Sequence, residues 1–307
     1  MRVISGGAGN STDLPSNGIS FGMTLLESDV PGPVDIARRT PSGVVASLNL
    51  SPVPGDVEAN LSLAEGAIRS AKLQNPELGW VVLPELFTCA YTDLGGAHEY
   101  AEDASAGMSV WRFSSLAHEL DLHIAYGFPE RLPDGSVANS ANLVGPDAPG
   151  PLLTYRKINL VETTPEHLTF TPGFDVPVVE SGGLRVAIVV CWDLGHPETV
   201  REAVAKGANL ILSPAAWREP WGLQYELSSA ARALDNGVYL ATANQLGPYP
   251  EADFATPGGV FAPNGVRLSD GDTLGFGRVD PDFADAWRIS YGDARVAIVA
   301  YEGEECG

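Results

Sequence analysis

Three side chains of this sequence could do chemistry together: the thiol of Cys191, the carboxylate of Glu85 and the ammonium of Lys157. Cys191 closes the apolar run VAIVV, after which polarity flips to WDLGHPE. A buried cysteine is ordinarily a small hydrophobe. At a strand end, just before a turn and a helix, it can instead be a nucleophile, once a base or a cation lowers the cost of its thiolate. Histidine is the usual partner. His196 stands at the expected start of a helix, with its side chain pointing away from a cysteine one turn back. His118 and His123, in HELDLH, miss the HExxH spacing that puts two zinc-binding histidines on one helical face, and read as a surface and a strand-start histidine. Glu85 follows the apolar stretch VVLP, and Lys157 ends TYRK. In α/β cores, ligands gather where strand ends converge. There Glu85 could take the thiol proton, and Lys157 could stabilise both the thiolate and a developing oxyanion.

The elements that would position these groups alternate along the chain. GVVASLNL, GWVVLPE, HIAYGF, LRVAIVVC, NLILSP and VYLATAN read as apolar strands. DVEANLSLAEGAIRSAK, SVWRFSSLAHELD, HPETVREAVAKGA and LQYELSSAARALDNG read as amphipathic helices, with Asp56 as an N-cap and Asn236-Gly237 as a C-terminal stop. SVANSANLVG and PLLTYRKINL read as paired strands, and GGVFAP and ARVAIVAYE as late ones. This is an α/β pattern with mixed sheets whose strands need cover on both faces. Residues 1–42 are rich in Gly, Ser, Thr, Pro and Asp and read as an arm. Residues 43–307 read as a single domain.

The formal charge of −21 excludes the basic patches that nucleic acid or an anionic membrane requires. No apolar run reaches the ~18 residues of a membrane span. The three cysteines, Cys89, Cys191 and Cys306, form neither a disulfide framework nor a zinc pattern. A cytoplasmic location is expected, with no metal and no organic cofactor.

PELF around Glu85, YRKINL around Lys157 and VVCWDLGHPETVR around Cys191 resemble, in order and spacing, the three signature segments of the nitrilase superfamily of carbon–nitrogen hydrolases. EHLTFTPG, KGANLILSPAAW and ALDNGVYLATANQLG agree, and the resemblance spans about residues 43–301. It implies a four-layer α-β-β-α sandwich that pairs into dimers or multiples of dimers. It also implies a Glu-Lys-Cys triad: Glu85 as general base and then acid, Lys157 as cationic stabiliser, Cys191 as nucleophile. Glu166 fits the slot of a second glutamate that holds Lys157 or the attacking water. The Trp192 N–H would join Lys157 in the oxyanion hole. The implied activity is thioester-forming hydrolysis of an amide or N-carbamoyl bond in a small molecule. Nitrile hydrolysis, acyl transfer and a catalytically silent scaffold are the alternatives. Asp193-Leu-Gly-His196-Pro-Glu is similar to the amidase and carbamoylase branches, with His196 replacing their usual aromatic.

Phe87, Tyr91, Trp192 and Trp217 lie near motif ends and are pocket candidates; Phe87 and Trp217 equally suit the core. Asp193 suits either substrate binding or a helix N-cap. Arg218 could bind a substrate carboxylate through a bidentate pair, or form a surface salt bridge.

Overall fold

The computed structural model describes residues 43–92, 94–269 and 273–290. The arm at 1–42, the run ARVAIVAYE and Cys306 lie outside them. In one sheet β1 (Gly43–Leu48), β2 (Leu78–Val82) and β3 (His123–Arg131) run parallel, and β4 (Val137–Val144) and β5 (Pro151–Arg156) continue it as antiparallel neighbours. Its other edge is closed by an antiparallel strand at Leu274–Val279, giving six strands in all. The second sheet contains β6 (Val178–Ser181), β7 (Leu184–Ile188), β8 (Leu210–Ala215) and β9 (Tyr239–Asn244). Here β7, β8 and β9 are parallel, and a short strand at Gly259–Phe261 pairs with β9.

The layering follows from side-chain alternation. Along β1, Val44, Ala46 and Leu48 face α1 (Val57–Gln74) and α2 (Met108–Leu120), packing on Leu61, Ala64, Ile68 and Phe113. Val45 points the other way, joining Trp80 and Val82 against Val186, Ile188, Leu210 and Leu212 of the second sheet. A short helix after β5, α3 (Glu166–Thr169), begins at Glu166, and the far face of the second sheet carries α4 (Pro197–Ala205) and α5 (Gly222–Asn236) through Val200, Ala203, Tyr225 and Ala233. The result is helices, two face-to-face sheets and helices. Each buried aliphatic side chain contributes about 1.5–3 kcal/mol. Asp56 caps α1 by accepting from the Ala59 N–H at 3.0 Å, and Gly237 ends α5 at φ 58°.

Two departures from the sequence pattern bear on the site. The run LRVAIVVC leaves the sheet at Ile188, so Cys191 begins a 3-10 turn at Cys191–Gly195 rather than ending a strand. The Gly182-Gly183 pair, both at positive φ, turns β6 into β7 as a hairpin absent from the sequence reading. A helix at Pro281–Ser290 is also additional. Among the described residues no helix is long and apolar enough to cross a membrane.

Candidate active site

Glu85, Lys157 and Cys191 all stand just past the ends of strands. Glu85 lies three residues after β2, on a loop stitched to both sheets: its N–H donates to the Ala215 carbonyl at 3.2 Å, and the Gly127 N–H donates to the Pro84 carbonyl at 3.2 Å. Gly127 is required here. A Cβ at that position would sit 2.5 Å from the Leu86 nitrogen and 2.8 Å from the Glu85 Cα. Lys157 immediately follows β5, its N–H bonded to the Asn139 carbonyl at 2.8 Å.

Cys191 is held at φ 49°, in the left-handed region, which costs a non-glycine residue about 1–3 kcal/mol. Asp193 fixes that turn. Its Oδ2 accepts from the Val190 N–H at 2.9 Å and the Tyr155 hydroxyl at 2.7 Å. Its Oδ1 accepts from the Asn159 N–H and Nδ2 at 2.9 and 2.8 Å. These bonds tie the Cys191 turn to the chain that follows β5.

Beneath Cys191 lies a fully buried polar cluster. Lys157 Nζ donates to Glu85 Oε1 and to Glu166 Oε1, each at 2.7 Å. Asn139 Nδ2 donates to the same two oxygens, also at 2.7 Å each. Glu85 Oε2 accepts from the Ala216 N–H at 3.0 Å. Glu166 Oε2 accepts from the Val161 N–H at 2.9 Å and the Tyr91 hydroxyl at 3.1 Å. Glu85, Lys157 and Glu166 are each 0% exposed, and Cys191 5%.

Burial alone would deprotonate Lys157; the charges of Glu166 and Glu85 override it and hold the ammonium well above its ordinary pKa. Burial raises Glu85, opposed by Lys157 and reinforced by Glu166. Burial and the Glu85 charge push the Cys191 thiol well up, against the pull of Lys157 and the Ala216 N–H. These influences favour the protonated thiol, which lies near the buried Glu85 carboxyl and the Lys157 ammonium.

Cys191 opens into a cavity of about 570 Å³, walled by Tyr91, Trp192, Trp217 and Trp221, with Arg218 at its side. Trp217 stacks on Tyr225 and leans against Trp192, with ring centroids 5.3 Å apart in both pairs. Of the expected pocket residues, Tyr91, Trp192 and Trp217 line this cavity. Phe87 does not: it is fully buried between the first sheet and its helices, where it fills the core. Asp193 does not either. It is 0% exposed and its oxygens are occupied by Tyr155, Asn159 and Val190, while the cap of α4 falls to His196. In the sequence Asn139 is visible only as part of a strand. Its signal was a polar residue on the face of β4 that also carries Ala141 and Leu143, both packed between the sheets.

The carbon–nitrogen hydrolase family model matches residues 44–288. The chain belongs to that family. It is 32% identical over 229 residues to a nitrilase of Pyrococcus abyssi, covering 73% of this chain and 83% of that one. It is 29% identical over 192 residues to the 2-oxoglutaramate amidase of Bacillus subtilis, covering 62% and 73%. The crystal structure of an amidase from Nesterenkonia sp. superposes with a TM-score of 0.71 at 25% identity, over 86% of this chain and 97% of that chain.

Proposed function

We propose that this carbon–nitrogen hydrolase cleaves the amide-type C–N bond of a small molecule through a Cys191 thioester, with Glu85, Lys157 and Cys191 as its triad. The observation that carries the reading is the cluster in which Lys157 bridges Glu85 and Glu166 under the cavity floored by Cys191. As the sulfur attacks the carbonyl carbon, Glu85 takes the thiol proton. The tetrahedral oxyanion forms beside the Lys157 ammonium and the Trp192 N–H, which heads a 3-10 turn and so lacks an intrahelical acceptor. Collapse breaks the C–N bond, and Glu85 returns the proton to the leaving amine. Water then attacks the thioester, giving a proton to Glu85, and the acid departs as the C–S bond breaks and Glu85 passes that proton to the leaving Cys191 sulfur. Splitting the reaction this way replaces one hard step with two easier ones.

A relative supports the nucleophilic role of the cysteine. A variant of the Nesterenkonia amidase carries the acetamide moiety of fluoroacetamide covalently on its active-site cysteine. The Pyrococcus nitrilase keeps nitrile hydrolysis as the second reading. Homo-oligomer formation is supported by an exposed apolar row on α5, Leu223, Leu227 and Leu234.

The test is intact-protein mass after mixing with amides, carbamoyl amino acids and nitriles, with ammonia release in parallel. An acyl-sized gain on wild type that Cys191→Ala abolishes is the expected result. Ammonia release that persists in Cys191→Ala would overturn the assignment.

A further inference from the structure

Arg218 stands apart from the other groups around the cavity. Among the described residues it is the only charged side chain that lines the cavity, in a protein of net charge −21. Among the described residues it forms no ion pair; its side chain reaches only Thr163 Oγ1, at 3.5 Å. Glu251 shares a smaller neighbouring cavity with it, yet the two make no salt bridge, and Glu219 is taken by Thr256 at 2.7 Å. The backbone on both sides of Arg218 is pinned. Asn244 accepts from the Trp217 N–H at 2.6 Å and donates to the Trp217 carbonyl at 3.0 Å, and the Glu219 N–H donates to the Asp253 carbonyl at 2.8 Å. A half-buried guanidinium on a fixed loop, without a carboxylate partner, is a preorganised anion receptor.

The remaining walls call for the opposite chemistry. Trp192 and Trp221 leave 39% and 52% of their surface open around a cavity otherwise walled by Trp217 and Tyr91. Large aromatic surfaces held open at a cavity belong to sites that bind apolar bodies. A volume of about 570 Å³ suits a ligand of ring size or larger rather than acetamide.

We propose that the substrate is an amide whose acyl part is an aromatic or similarly bulky apolar body ending in a carboxylate. The amide carbonyl reaches Cys191, the body lies between the indoles, and the carboxylate pairs with Arg218. Arg218 is thus the specificity-determining residue of the site. This inference rests on the amide-hydrolase reading above, because it takes Cys191 as the point of reaction.

The experiment compares para-carboxyphenylacetamide with phenylacetamide and acetamide on wild type, Arg218→Met and Arg218→Lys, reading kcat/KM by ammonia release. Wild type should prefer the carboxylated ring over phenylacetamide by at least about tenfold, the scale of one charge-assisted pair. Arg218→Met should collapse that ratio by about 10- to 100-fold, and Arg218→Lys, which keeps charge but loses the fork, should fall between. A wild-type ratio near one, or a ratio unmoved in Arg218→Met, overturns the proposal while leaving the hydrolase reading intact. Binding is read separately, by tryptophan fluorescence with para-carboxyphenylacetate on Cys191→Ala and on the Cys191→Ala/Arg218→Met double variant. Arg218-dependent binding without turnover of any amide would sink the hydrolase reading and keep the receptor. The absence of Arg218-dependent binding would sink the receptor.

Discussion

The side-chain amide of Asn139 and the ammonium of Lys157 donate to the same two oxygens, Oε1 of Glu85 and Oε1 of Glu166, with all four contacts at 2.7 Å. One donor is charged and the other neutral. Together they hold two carboxylates facing each other in a site closed to water, where like charges would otherwise separate or take up a proton. Asn139 thus helps to position the Glu85 carboxylate that Lys157 neutralises.

Removing the neutral donor should shift the pH profile. The Asn139 hydrogen bond lowers the Glu85 pKa, which burial already raises. Without it Glu85 holds its proton to higher pH, and a general base works only when unprotonated. Asn139→Leu should therefore move the acid limb of kcat/KM upward and lower kcat by about 10- to 100-fold, a part of the roughly 100- to 10,000-fold that a whole positioned base contributes. KM should change little, since Asn139 lies beneath the cavity floor. A fall in rate with an unmoved acid limb would mean that Asn139 only supports the fold.

Lys157 should be needed for both folding and turnover. Lys157→Met leaves Glu85 and Glu166 facing each other without the cation, and breaking a buried pair by removing one partner costs about 3–5 kcal/mol. The variant should unfold at lower denaturant, with more of the loss at high pH, where the Glu85 carboxyl that burial pushes up is forced to ionise without its cation. The double variant Lys157→Met/Glu85→Gln should regain part of that stability and stay inactive. Urea titration at pH 5 and pH 8 with a parallel amidase assay separates the two effects.

The thiol gives a direct electrostatic readout. Burial and the Glu85 charge hold Cys191 well above an ordinary thiol. Iodoacetamide, which needs the thiolate, should label resting Cys191 slowly at neutral pH, with a midpoint above the usual value of about 8.5. Glu85→Gln deletes a charge that disfavours the thiolate, so the midpoint should fall. A resting thiolate at pH 7 would instead mean that proton transfer precedes substrate, and Glu85 would lose its role in the attack.

Much of this arrangement is visible in the sequence, because its parts obey local rules. Strand and helix periods locate nearly every element that carries a site residue, and the scarcity of lysine isolates Lys157. What escapes depends on close approach or on pairing at a distance. Gly275 and Gly277 weaken the strand signal of Leu274–Val279, yet that strand packs so near the second sheet that a Cβ on Gly277 would collide with Val260. Phe87 and Tyr91 sit four residues apart on one loop, and only the packing of the loop sends one into the core and the other to the cavity. Asp193 suits substrate binding or a helix N-cap in sequence; its Tyr155 and Asn159 partners lie more than thirty residues upstream.

Gly127 tests whether the loop that carries Glu85 tolerates displacement. Its Cβ would meet backbone rather than a flexible side chain, so Gly127→Ala must push the loop away from β3. The expected cost is about 1–3 kcal/mol, the usual penalty for overpacking. Activity should fall further than stability, because Glu85 would leave hydrogen-bond range of the Ala216 N–H and of Lys157. Thermal melting and kcat on one sample distinguish this from simple destabilisation; proportional losses, fully restored by lowering the temperature, would rule out a specific effect on Glu85.

Asp193 should matter through the turn it holds rather than through substrate. Tyr155→Phe removes one donor from its buried carboxylate and leaves the other hydrogen bonds in place. Loss of a hydrogen bond to a buried charged group costs about 1.5–3 kcal/mol. The Asp193 pKa, already raised by burial and held back first by Tyr155, should then rise further. A group whose folded pKa is raised contributes stability below its unfolded pKa and loses it as pH increases, so Tyr155→Phe should be most destabilising at neutral pH and least so at acid pH. Since the released turn carries Cys191 at positive φ, kcat should drop along with stability while KM stays near wild type. A rise in KM with kcat preserved would return Asp193 to the list of substrate ligands, which its burial argues against.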